Sequence, residues 1–306
     1  MNTRIVVVGS LNADFVIDLE RFPVPGETVT GKTFHVFPGG KGANQAYAAA
    51  RLGGRVSMIG QVGQDTHAGW LKSNLASVGV DVTQIRHDPS VSSGVACISI
   101  DASGQNQIII VGGANATLTP ERLEPSRELI ASAKIVLIQL EIPLETVASV
   151  ARIAKRSEAI VILDPAPAKP APDSLLACAD YVTPNETELA VLTGVRPGKV
   201  TRSVARDLAK GLHARGAAKV IVKMGAQGAL LTGEGGEHFW PALPVRPVDT
   251  TAAGDAFNAA FAVALAEGRS EIEAGEFATA AAAWSVTRPG AQPSMPTRDD
   301  VAALMS

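Results

Sequence analysis

The sequence predicts an α/β fold: a doubly wound, mostly parallel sheet with helices on both faces, Rossmann-like, carrying a small β-sheet lid. Three observations lead there. Short apolar, β-branched runs alternate with longer segments of helical period, the rhythm of βαβ units. The runs are apolar almost without interruption, as in strands covered on both faces. One stretch, SGVACISIDASGQNQIIIVGG (93–113), breaks the rhythm by placing two strand-like runs around a Gly-containing turn with no helix between them, which makes a hairpin.

Taken in order, the predicted strands are RIVVV (4–8), RVSMI (55–59), IVLIQL (135–140), AIVIL (159–163), DYVT (180–183) and KVIVK (219–223). Helices are expected over Ala43–Leu52, Ala68–Val78, Leu144–Arg156 and Ser203–Arg215. FPVPGETVTGKTFHVFPGG (22–40) is rich in Gly and Pro and holds a further strand at Thr33–Phe37. Together with the hairpin it suggests a β appendage from about 12–38 and 92–112, placed to cover a site at the carboxyl ends of the main strands. AKPAP (168–172) and GEGGE (233–237) read as surface loops. The whole of 1–306 reads as one domain.

Composition narrows the function classes. Hydrophobic residues make up 46% and charged residues 19%, enough to bury a sizeable core, and the formal charge of -3 offers no basic footprint for nucleic acid. The two cysteines, Cys97 and Cys178, form no disulfide framework and no metal spacing, and read as reduced, partly buried thiols of a cytoplasmic protein. The apolar run Ile5–Val8 is too short for a secretion signal, and Ala256–Ala266 is too short to span a bilayer. His35, His67, His87, His213 and His238 lack ligand spacing; Trp70, Trp240 and Trp284 read as packing; Arg21 and Arg51 read as surface charges.

The strongest chemical signal is DTTAAGDAFNAAFAVAL (249–265). The small residues Ala252, Ala253 and Gly254 lead into a helix-forming run that begins near Asp255. Small side chains let a phosphate reach the unpaired N–H groups of a first helical turn, with the positive end of the dipole behind them. That is an anion hole for a transferring phosphoryl group, with Asp255 at its mouth. Read alone, Asp255 before a helix is more readily a helix N-cap.

This segment, together with GGKGANQAYAAARLG (39–53), resembles the ribokinase (carbohydrate kinase) family. GSLNAD (9–14), PGETV (25–29), QLE (139–141), PAPA (165–168), TPNETE (183–188) and VTRPGAQPS (286–294) match it too, in the family's order and over almost the whole chain. The resemblance implies ATP-dependent phosphorylation of D-ribose at its 5-hydroxyl, with Asp255 as general base and the 252–255 backbone as anion hole. It implies that Asn12, Asp14, Gly39, Gly40, Lys41, Asn44 and Glu141 hold the sugar, as suits a polyol whose hydroxyls both donate and accept. Lys41 alone would read as a solvated charge. Asn185 and Glu188 match the family's NxxE motif, which helps to organise the Mg²⁺ that accompanies ATP; read alone they are a helix cap. KMGAQG (223–228) is similar to the nucleotide-binding turn and implies Lys223, Gly225 and Gly228 as nucleotide contacts. Lys223 stands where the family often has a small hydroxyl residue, so phosphate contact and solvent remain alternatives for it. A K⁺ site is implied at Asp249, Thr251, Ser285, Arg288, Gly290 and Ser294. The other acceptors to weigh are deoxyribose, another sugar such as fructose, or a nucleoside stacked near Phe22, Phe34 and Phe37; a non-catalytic sugar-binding regulator is the reading from a different class. Apolar lid positions such as Val95, Ile98 and Ile110 imply a homodimer through the lid.

Overall fold

The computed structural model describes residues 3–305; Met1, Asn2 and Ser306, at the ends of the expected 1–306 domain, lie outside it. Thirteen strands run in chain order: β1 Arg4–Val8, β2 Asn12–Asp18, β3 Thr33–Gly39, β4 Arg55–Gly63, β5 Asp81–Asp88, β6 Gly94–Ile100, β7 Asn106–Val111, β8 Ile135–Gln139, β9 Ile160–Asp164, β10 Tyr181–Val182, β11 Lys219–Lys223, β12 Gly228–Gly233 and β13 Gly236–Pro241. The α-helices are α1 Lys41–Arg51, α2 Thr66–Ser77, α3 Pro120–Leu123, α4 Arg127–Ala131, α5 Leu144–Arg156, α6 Asp173–Leu176, α7 Glu186–Leu192, α8 Arg202–Ala214, α9 Ala253–Ala266, α10 Glu271–Ser285 and α11 Arg298–Met305.

Nine strands form one sheet in the order β13-β12-β11-β10-β9-β8-β1-β4-β5. Its pairings from β5 to β11 are parallel, and β12 and β13 add an antiparallel edge. Alternation along each strand explains the two helical layers. Ile5 and Val7 of β1 pack into one core with α1, α9 and α10, while Val6 and Val8 pack into the opposite core with α5 and α8. Since every residue of such a strand meets a core, the strand must be apolar throughout. Helix α9 is the extreme case: it is buried on all sides between the sheet, α1 and α10, so its sequence is Ala-rich rather than amphipathic.

The remaining strands form a separate four-stranded sheet, β3-β2-β6-β7. β6 and β7 are the antiparallel hairpin expected from 93–113, in register from Val95 opposite Val111 to Ile100 opposite Asn106. Asn12, Asp14, Gly39 and Gly40 therefore lie where this small sheet joins the large one.

Three expectations need correction. GEGGE is the tip of the β12–β13 hairpin rather than a free loop, and both its strands went unread. Cys97 is exposed, because β6 turns it outward, while Cys178 is half-buried as expected. Arg51 is not a free surface charge: its Nε is buried without a hydrogen-bond partner. Arg21 is exposed and pairs with Glu27.

Candidate active site

Loops at the carboxyl ends of the parallel strands and the N-termini of α1 and α9 converge on a cleft of about 820 Å³. Asp255, Gly254, Lys41, Asn185, Glu188 and Lys223 all line it, with Gly225 and Gly228. Asp255 is the third residue of α9, so it is not the helix cap; that position is held by Ala252 with a left-handed φ of 59°. A non-glycine residue held there is strained, and Ala252 and the first turn of α9 line the cleft. Ala253 N–H is occupied, donating to the Thr250 carbonyl at 3.3 Å. Of the expected 252–255 set, the N–H groups of Ala252, Gly254 and Asp255 are left for an anion.

The Asp255 carboxylate is buried and fixed from both sides. Asn44 Nδ2 donates to its Oδ2 at 3.1 Å, and Gln45 Nε2 donates to its Oδ1 at 3.0 Å. Asn44 is held in turn by Gln292, whose Nε2 donates to Asn44 Oδ1 at 3.2 Å. Burial pushes the Asp255 carboxyl up, Lys41 opposes that shift, and the two amide donors oppose it further. Lys41 is no isolated solvated charge. Burial alone would lower it, yet the carboxylates of Asp255, Asp164, Glu141 and Glu188 raise it well above the ordinary lysine value.

On the side of the small sheet, Asp14 sits against Gly39, where an added Cβ would overlap its carboxylate. One of its oxygens, Oδ1, is buried with no protein partner. Burial, then Glu141, then Asp255 push it up to about 7. Glu141 Oε2 accepts from Ser10 Oγ at 2.5 Å and from Lys41 N–H at 3.1 Å, and Asn12 Oδ1 accepts from Asn115 Nδ2 at 2.8 Å. Gly40, at φ 89°, caps α1 where a Cβ would meet the Asn12 amide and the Ser10 carbonyl at under 3 Å. The residues expected to hold a sugar are thus gathered in one neighbourhood with Asp255.

Elsewhere in the cleft, Asn185 and Glu188 form a full capping box at the start of α7: Asn185 Oδ1 accepts from Glu188 N–H at 2.8 Å, and Glu188 Oε2 accepts from Asn185 N–H at 2.7 Å. The capping reading is satisfied, and both residues also line the cleft. Lys223 does not face solvent. Its Nζ donates to Asp164 Oδ1 at 2.9 Å and lies 3.1 Å from the point a Cβ on Gly254 would occupy.

Behind the anion hole, Asp249 Oδ1 accepts from Thr251 N–H at 2.9 Å and its Oδ2 from Gly290 N–H at 2.8 Å, so these three positions are brought together. Ser285 and Ser294 are fully buried, their hydroxyls donating to the Ala282 and Ala291 carbonyls. The Arg288 side chain turns away to stack over Trp284 at 4.6 Å, which leaves only its backbone for an ion.

Sequence reading missed Asp164 and Gln45. Asp164 ends β9, immediately before the PAPA segment, and Gln45 follows Asn44 in α1; both are buried, and a lone charge closing an apolar strand was the available signal.

Known proteins share this sequence pattern and fold. The sequence matches the pfkB family carbohydrate kinase over residues 2–298. It is 42% identical over 300 residues to the ribokinase of Haemophilus influenzae, covering 98% of this chain and 97% of that one. It is 39% identical over 294 residues to the deoxyribokinase of Salmonella typhi, covering 96% and 95%. The structure of Arabidopsis thaliana ribokinase complexed with ribose and ATP superimposes with a TM-score of 0.93 at 40% identity, covering 100% of this chain and 99% of that one. With its two-sheet fold and a carboxylate beside a helix-terminal anion hole, this chain belongs to the pfkB family of carbohydrate kinases.

Proposed function

We propose that the protein transfers the γ-phosphoryl group of ATP to the 5-hydroxyl of D-ribose. The observation that carries this reading is the buried Asp255 carboxylate, fixed by Asn44 and Gln45 at the first turn of α9. Asp255 takes the proton of the attacking hydroxyl, the hydroxyl oxygen bonds to the γ-phosphorus, and ADP leaves. A positioned base of this kind contributes ~10²–10⁴ in rate. The N–H groups at Gly254 and Asp255 meet the charge that develops on the phosphoryl oxygens. Asn12, Asp14, Gly39, Gly40, Lys41, Asn44 and Glu141 hold the sugar. Asn185, Glu188, Lys223, Gly225, Gly228 and Gly254 hold the nucleotide.

Among the described residues no group of three His, Cys, Asp or Glu gathers to cage a metal. That suits Mg²⁺ arriving on the phosphates, with Glu188 reaching it through water; bound there it would neutralise phosphate charge. The all-oxygen surroundings of Asp249, Thr251, Ser285, Arg288, Gly290 and Ser294 suit K⁺, with Arg288 and Gly290 offering backbone carbonyls.

The chain works as one domain, the small sheet acting as its lid. β7 leaves Ile108, Ile109, Ile110 and Val111 exposed in a row along an unpaired edge, which supports a homodimer through the lids. Val95 and Ile98 are half-buried and contribute less than expected. No described helix is long and apolar enough to cross a membrane, and we place the protein in the cytoplasm. Deoxyribose is the second reading, supported by the likeness to a deoxyribokinase. ADP release with ATP, Mg²⁺ and K⁺ across ribose, deoxyribose, fructose, adenosine and no sugar tests the assignment: ribose is preferred, and a preference for another acceptor would overturn the substrate while keeping the chemistry.

A further inference from the structure

Asp164 is 1% exposed, and its two oxygens serve different partners. Oδ2 accepts from Gln45 Nε2 at 3.0 Å, and the same nitrogen donates to Asp255 Oδ1. Oδ1 accepts from Lys223 Nζ. Gln45 is locked in this orientation, because its Oε1 accepts from Gln139 Nε2 at 2.7 Å and a flipped amide would set donor against donor. A hydrogen-bonded line therefore runs Asp255–Gln45–Asp164–Lys223, from the base to the phosphate end of the cleft. Lys223 lies over Gly254 in the anion hole, with only 13% of its side chain exposed. One N–H of its ammonium goes to Asp164, and the others remain for phosphate oxygens.

We propose that Asp164 is a positioning residue for phosphoryl transfer: it holds Lys223 at the anion hole as a ligand of the transferring phosphate and, through Gln45, fixes the base Asp255. This rests on the kinase reading above. The pair also matters electrostatically. Lys223 balances Asp164, a carboxylate that shares one amide with Asp255. The other charged groups that act on Asp255 are Lys41 from α1 and Asp14 from β2, and Lys41 is itself faced by Glu141 beyond β8 and Glu188 from α7. With Lys223 removed, the uncompensated Asp164 makes Asp255 harder to keep ionised, so the acid limb of the pH profile moves up.

The test is a cycle of Lys223→Thr, Asp164→Asn and the double variant. It reads kcat and KM for ATP, the pH dependence of kcat/KM with ribose, and calorimetric titration with ATP and with ADP. Lys223→Thr weakens ATP about tenfold, the loss of one charge-assisted contact, and weakens ADP less. Its acid limb moves to higher pH. Asp164→Asn lowers kcat, and the double variant is less impaired than the product of the singles, its acid limb returning toward the parent's. Equal weakening of ATP and ADP, an unmoved limb, or purely additive losses would overturn the proposal. Should Asp164→Asn fail to fold, the ATP-against-ADP preference and the pH limb of Lys223→Thr decide alone. A parent protein that turns over no sugar refutes the kinase reading itself, whereas an active parent with uncoupled variants refutes only the role of Asp164.

Discussion

Asp255→Asn removes the base while changing almost nothing else. The amide is the same size, and the site offers two donors, Asn44 Nδ2 at 3.1 Å and Gln45 Nε2 at 3.0 Å, both of which need an acceptor. Asparagine satisfies one and turns its own NH₂ against the other, at a cost of ~1–3 kcal/mol for the donor left unmet. That cost is offset by no longer burying a carboxylate beside Asp164, so the variant stays folded with a melting temperature close to the parent's. Ribose still binds, since its other contacts remain. Catalysis behaves differently, because an amide cannot take the proton of the attacking hydroxyl. The loss is ~10²–10⁴ in kcat, or ~2.7–5.4 kcal/mol of barrier. Anion-hole stabilisation and substrate alignment sustain the residual rate. Steady-state ADP release gives kcat, and calorimetry with ribose gives binding. A variant that turned over within about threefold of the parent, a difference of ~0.6 kcal/mol, would refute Asp255 as base.

Other consequences follow from the same geometry. Gly254→Ala places a methyl 3.1 Å from Lys223 Nζ in the anion hole, and should raise KM for ATP and lower kcat without lowering the melting temperature; unchanged kinetics would count against phosphate binding there. Asp14, with its carboxyl pushed up from 3.8 to about 7, binds its proton more tightly folded than unfolded, so it costs the ligand-free protein stability as pH rises from about 4 to 7. Asp14→Asn should therefore raise the melting temperature at pH 8 and change it little at pH 4, at the expense of sugar affinity; equal effects at both pH values would contradict this. Ile109→Lys, at a position 68% exposed on β7, should convert a dimer to monomer in sedimentation experiments at micromolar concentration, and a parent already monomeric there would remove the lid interface. Replacing K⁺ by Na⁺ should lower kcat, and Asp249→Asn should abolish the difference between the ions.

How much of this could be read in advance follows physical lines. The strands β1, β8, β9 and β11 were legible because both faces of each are buried, which forces a continuous apolar run. The β5 strand was not, since DVTQIRHD at the sheet's edge carries polar residues on its outer positions. The β12–β13 hairpin was hidden by its glycines, which signal a turn more loudly than GALLT signals a strand. In the site, Asp255, Asn44 and Lys41 sat in recognisable segments. Gln45 and Asp164 have roles that exist only in three dimensions, where α1 lies against the ends of β8 and β9. Lys223 was undecidable for the same reason: a lysine closing a strand meets solvent or a carboxylate according to what the neighbouring strand ends with, and here β9, two strands away across the short β10, ends with Asp164.

The most direct test of the central claim is the product itself. Incubating the protein with ATP, Mg²⁺, K⁺ and D-ribose, and following the phosphorus signal by NMR, should show one new phosphomonoester, on the 5-oxygen of ribose, appearing in step with ADP. Phosphate on a different oxygen, or ADP formed at the same rate with ribose omitted, would contradict the placement of Asp255 between the sugar and the anion hole.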